Sequence, residues 1–75
     1  MVSKISVTLH GHRTSFSLED EFLAALKDIA GRRGLSLASL IADVDDQRAD
    51  SDNLSSALRV FVLRDAQARN GAENP

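Results

Sequence analysis

Arg13-Thr-Ser-Phe-Ser-Leu18, running directly into Glu19–Arg33, Gly34 and a second helix-like stretch from Ser36, decides the reading of this chain. Thr14, Phe16 and Leu18 alternate with Arg13, Ser15 and Ser17, a period of two that makes a strand over 13–18 with one apolar and one polar face. Phe22, Leu23, Leu26, Ile29 and Ala30 then fall on one helical stripe over 19–33. Glu19, Asp20 and Glu21 crowd the first turn of that helix and Arg32 and Arg33 its last, so both ends suit the helix dipole. Ser17-x-x-Asp20 offers a capping box, or Glu19 opens the helix. Gly34 stops it as a glycine just past a helix end does.

Working outward, Ser36 is a good N-cap for a helix over 36–48, with Leu37, Leu40, Ile41 and Val44 on one face. Asp43, Asp45 and Asp46 lie off that stripe. Ala49–Asn53 is polar and turn-like. Leu54, Ala57, Leu58, Phe61 and Val62 form a third helical stripe over 53–65, widened by Val60 and Leu63. From Ala66 the pattern stops, so 66–75 reads as a flexible tail to a domain of residues 1–65.

The N-terminal residues carry a phase switch. Ile5, Val7 and Leu9 are apolar at odd positions, whereas Phe16 and Leu18 are apolar at even ones. A single flat strand would put the two sets on opposite faces. A two-residue loop at His10-Gly11 resolves the conflict. It sets Ile5 opposite Phe16 and Val7 opposite Thr14, and it gathers Lys4, Ser6 and Thr8 with Arg13, Ser15 and Ser17 on the other face. A bulge at Gly11, leaving 4–9 as an extended arm, is the second geometry that the parity allows.

A strand as short as 13–18 needs a partner for its edge groups, and the simplest is the same strand of a second copy. The product, a two-stranded antiparallel ribbon, fits the major groove of DNA. Size favours association as well, since 75 residues make one small domain with a marginal core. Nine Lys and Arg against eleven Asp and Glu is mildly acidic, which gives nucleic-acid binding no overall support. The distribution is more telling. Residues 1–18 carry Lys4, Arg13 and both histidines with no acid, whereas from Leu37 onward seven acids face four arginines. An acidic rear and a positive front orient a molecule on a polyanion.

Other chemistries are poorly served. Without cysteine there is neither a disulfide framework nor a thiolate zinc site. His10 and His12, two apart, would point the same way from a strand, but two histidines make a weak metal site. Asp43, Asp45, Asp46, Asp50 and Asp52 lack the central glycine and terminal glutamate of a calcium loop. No nucleophile setting is recognisable, so the chain reads as no enzyme, needing neither metal nor cofactor. The apolar runs are short and no export signal is evident, which suggests a cytoplasmic protein without membrane contact.

The stretch Arg13–Ala42 resembles the ribbon-helix-helix repressors typified by Arc, MetJ and CopG. Within that family Gly11–Glu19 is similar to a bacterial subgroup carrying the run Gly-His-Arg-Thr-Ser-x-Ser-Leu-Glu, as are the Gly34-Leu35-Ser36 turn and Leu54-Ser-Ser-Ala-Leu-Arg59. The resemblance implies an α+β fold and an intertwined homodimer with an antiparallel β-ribbon, able to form higher-order assemblies on double-stranded DNA. It implies base contacts from Arg13, Ser15 and Ser17, and a phosphate clamp from Ser36 with the backbone of Leu37 and Ala38. Lys4 and His12 are further candidates for DNA contact. The function implied is a sequence-specific transcriptional regulator, a repressor. The alternative is a dimerisation, adaptor or antitoxin-like module whose third helix binds a protein.

Overall fold

A two-residue turn sets the register of everything that precedes the first helix. The computed structural model describes the backbone of residues 1–73 and the side chains of residues 1–70. β1 (Val2–Leu9) and β2 (His12–Glu19) pair antiparallel, with Ile5 opposite Phe16 and Val7 opposite Thr14. The N-terminal segment is therefore the hairpin and not the arm. His10 and Gly11 sit at φ 53° and 78°, the two positive values that a tight hairpin turn requires. Glycine adopts this conformation freely, while histidine does so uncommonly. Here His10 is tethered, its Nε2 lying 2.6 Å from Asp46 Oδ1.

The hairpin covers the helices with its apolar face. Leu9, Phe16 and Leu18 are buried and Ile5 and Val7 half-buried, in one cluster with Leu26, Ile29, Ala30, Leu40, Ile41, Val44, Leu54 and Leu58. Leu18, Leu26, Ile41 and Leu58 are fully buried, each contributing about 1.5–3 kcal/mol by leaving water. The need for a strand partner and a cover for Phe16 and Leu18 is thus met within one chain. A two-stranded antiparallel sheet followed by three helices is the α+β ribbon-helix-helix order.

α1 (Asp20–Arg33) starts after Glu19, and the capping box is not formed. Asp20 instead accepts a hydrogen bond from Ser3 Oγ at 2.6 Å, and its backbone N–H reaches the Met1 carbonyl at 2.9 Å, fastening both strand ends to the helix start. Gly34 (φ 68°) closes α1, with the Leu35 N–H donating to the Ala30 carbonyl at 2.9 Å. α2 (Leu37–Gln47) is capped by Ser36, whose hydroxyl oxygen accepts from the Ser39 N–H at 3.1 Å. α3 (Leu54–Glu73) is capped in the same way by Asn53, which accepts from the Ser56 N–H at 2.7 Å.

Two expectations about α3 change. Its stripe does not widen, because Val60 and Leu63 face solvent. The helix also runs on through the residues expected as a tail, since Ala66, Gln67, Ala68 and Arg69 are good helix formers even without an apolar stripe. An Asp65–Arg69 pair one turn apart (3.7 Å) assists. The last two residues of the expected tail, 74 and 75, lie outside the described residues.

Candidate nucleic-acid interface

Register assembles a face that no single segment would make. Outward-pointing residues of the two strands meet in pairs: Thr8 with Arg13, Ser6 with Ser15, and Lys4 with Ser17. All six side chains are exposed, and the hydroxyls of Ser6 and Ser15 are 3.0 Å apart. These six positions hold two cations and no acid. Glu19, which ends the same face of β2 opposite Val2, is engaged by Arg59 Nε at 2.9 Å, and Asp20 accepts from Ser3. The Arg59 guanidinium hydrogen-bonded to Glu19 holds its carboxyl below the usual glutamate value.

The other expected residues divide. Lys4 joins the face. His12 is exposed but lies opposite Leu9, so alternation puts it with Thr14 and Phe16 on the helix side. His10 does not share a strand face with His12, because it is in the turn. It gathers instead with Asp45 and Asp46, their ligand atoms all within 4.8 Å. Asp46 bonds His10 itself, and Asp45 accepts from Arg48 Nε at 2.6 Å, so both carboxylates already have partners.

Ser36 is committed as a cap, and its hydroxyl proton goes to Ser39 Oγ at 3.0 Å. The amides of Leu37 and Ala38 belong to the first turn, where N–H groups have no acceptor within the helix. That turn carries no acid, whereas α1 opens with Asp20 and Glu21. The positive end of α2 is therefore left uncompensated, as anion binding needs. The His10–Asp46 bond sets the other end of α2 beside the hairpin turn. Ser36 thus lies about 15 Å along the helix from that end.

A second surface was not foreseen. Between α2 and α3 opens a groove of about 530 Å³, lined by Leu40, Val44, Ala57, Val60 and Phe61 among others and flanked by Arg33 and Arg64. The Arg33 guanidinium carbon stands 5.3 Å from the centre of the Phe61 ring. Only the exposure of Val60 and the half-burial of Phe61 betray the groove, and spacing cannot distinguish these from core positions. No helix among the described residues is long and apolar enough to cross a membrane.

A family model described as a ribbon-helix-helix domain matches residues 2–66, from β1 into α3. Comparison with the curated proteins and with the solved structures finds no match.

Proposed function

The chain belongs to the ribbon-helix-helix family, and from that premise we propose that it is a sequence-specific transcriptional regulator, a cytoplasmic repressor that reads the major groove through its ribbon. Members typically form dimers and bind DNA, and regulation of transcription or antitoxin-like action is what the family suggests. The observation that carries the reading is the outward face of the hairpin, where Arg13, Ser15 and Ser17 lie exposed across from Thr8, Ser6 and Lys4 and the acid that ends the face, Glu19, is paired with Arg59. Arginine bonds guanine bidentately, and serine donates or accepts at short range. Ser36, Leu37 and Ala38 would hold a phosphate at the uncompensated start of α2. We read the Gly11–Glu19 run as that of the bacterial subgroup. The working unit is a homodimer, which presents two such faces to a two-fold symmetric operator.

Selection of bound fragments from random duplex DNA by the purified protein tests this. An enriched motif that is released as salt rises supports it, and failure to enrich any sequence rejects it. Sedimentation at micromolar concentration should show a dimer, and a well-folded monomer there rejects the homodimer.

The groove between α2 and α3 favours one second reading, an antitoxin-like or adaptor module that binds a protein through α3. That reading predicts a protein partner lost on substitution in the groove, with the fold intact.

A further inference from the structure

Glu19 is the only acid in either strand, and it ends the face assigned above to DNA. Resting on that DNA-binding reading, we propose that Arg59 of α3 is a positioning residue for recognition. It holds the Glu19 carboxylate back on α3 and keeps Lys4 available to phosphate, without touching DNA itself.

Alternation puts Glu19 with Arg13, Ser15 and Ser17, and its backbone is still extended (φ −62°, ψ 143°) where α1 begins. Successive outward positions of a strand are about 7 Å apart, so a free carboxylate there would stand within a Debye length of a phosphate meeting Ser17. Like charge at that range opposes binding. Position 19 thus carries the one side chain of the face whose sign is wrong for a polyanion.

Arg59 meets that charge from outside the ribbon. Its Nε donates to Glu19 Oε1 at 2.9 Å, and Ser55, one turn earlier on α3, donates from Oγ to the Ser17 carbonyl at 2.7 Å. The two contacts set α3 at the end of β2 with the guanidinium beside the carboxylate. That hydrogen bond lowers the Glu19 pKa, so at neutral pH the carboxylate is ionised and held.

Lys4 lies opposite Ser17 and therefore diagonal to Glu19, a separation of about 7 Å that long side chains span. Yet Lys4 makes no ion pair among the described residues. The planar guanidinium of Arg59 suits a carboxylate better than a flexible ammonium does, and it takes Glu19 first. Without Arg59, Glu19 and Lys4 are left to each other. Their pairing would cancel the one cation at that end of the face.

The test measures affinity for a selected DNA motif at fixed salt, using the full chain as wild type, Arg59→Ala, Glu19→Gln and the double variant. Melting curves correct each value for the fraction folded. A unit charge about 7 Å away in a water-like dielectric changes affinity about threefold, so Arg59→Ala should weaken binding by about that factor per protomer, with the motif unchanged. Glu19→Gln removes the charge that Arg59 controls and should bind as tightly as wild type or more tightly. The double variant should regain wild-type affinity. If Arg59→Ala fails to fold, Arg59→Met removes the charge while keeping an apolar stem. Weakening by Glu19→Gln as great as that by Arg59→Ala would make the pair a structural tie and overturn the proposal. Equal loss on removing Arg59 in the wild-type and Glu19→Gln backgrounds would mean that Arg59 grips phosphate directly, which overturns it too. Undiminished binding by Arg59→Ala would place Glu19 away from DNA and sink the proposal while DNA binding stands. If wild type selects no motif, the function itself is wrong and the role of Arg59 falls with it.

Discussion

Arg59 Nε lies 2.9 Å from Glu19 Oε1, which ties the second turn of α3 to the last residue of β2 across forty positions of sequence. The pair is more than a third exposed at each end, so it positions more than it stabilises. With Ser55 on the Ser17 carbonyl it fixes where α3 meets the ribbon. Glu19 is also where the strand becomes a helix.

This pair predicts a pH dependence with a definite sign. Arg59 lowers the Glu19 pKa below its usual value, so the favourable term is fully present above the ordinary carboxylate range. It is lost as pH falls through the lowered value. In a carboxylate titration followed by NMR, Glu19 should titrate higher in Arg59→Ala than in wild type, and the stability difference between the two proteins should shrink on acidification. Identical titration of Glu19 in both would show that the pair does not persist in solution.

Arg13→Ala separates reading from folding. Arg13 is exposed opposite Thr8 and makes no ion pair among the described residues. Its loss should therefore leave the melting temperature within a degree or two, while removing about 1–3 kcal/mol of discrimination if it bonds a base bidentately. Ser15→Ala and Ser17→Ala should act in the same direction and more weakly. Binding to the selected site with unchanged preference would remove this face from recognition.

Ser36 allows the cap and the clamp to be tested apart. Ser36→Ala deletes the acceptor for the Ser39 N–H and should cost about 1 kcal/mol of stability. Ser36→Asp keeps a good cap, and its charge suits the helix N-terminus. That same charge repels phosphate. Ser36→Asp should thus melt at or above the wild-type temperature yet bind DNA more weakly. Undiminished binding by this variant would mean that the start of α2 does not face the backbone.

What was legible in the sequence follows from how local each cause is. The phase switch between Leu9 and Phe16 revealed the hairpin because alternation and a His10-Gly11 turn are properties of neighbouring residues. Gly34 and Ser36 were readable for the same reason. The Ser17–Asp20 capping box failed because the Asp20 carboxylate found Ser3 and its N–H found the Met1 carbonyl, neither of them near in sequence. The same distance rule hides the site. Parity and the two-residue loop already placed Ser6 and Thr8 across from Ser15 and Arg13, but the engagement of β2 by α3 depends on the packed fold. The extent of α3 past Ala66 was missed because helix propensity without an apolar stripe leaves no periodic trace.

α3 supplies the last test, because it holds a core residue and a groove residue three positions apart. Leu58 is fully buried, and Leu58→Ala should cost about 2–5 kcal/mol, enough to unfold much of so small a domain. Phe61 is only half-buried, lining the groove under Arg33, so Phe61→Ala should cost clearly less than Leu58→Ala. Thermal melts of the two variants decide this order, and equal losses would mean that the groove is closed in solution. The outcome also bears on function. A DNA-binding regulator carrying Phe61→Ala should keep its selected motif in proportion to the fraction folded. An adaptor acting through α3 should instead remain folded and lose a protein partner. A folded Phe61→Ala variant with full DNA affinity would keep recognition on the hairpin and leave the groove outside it.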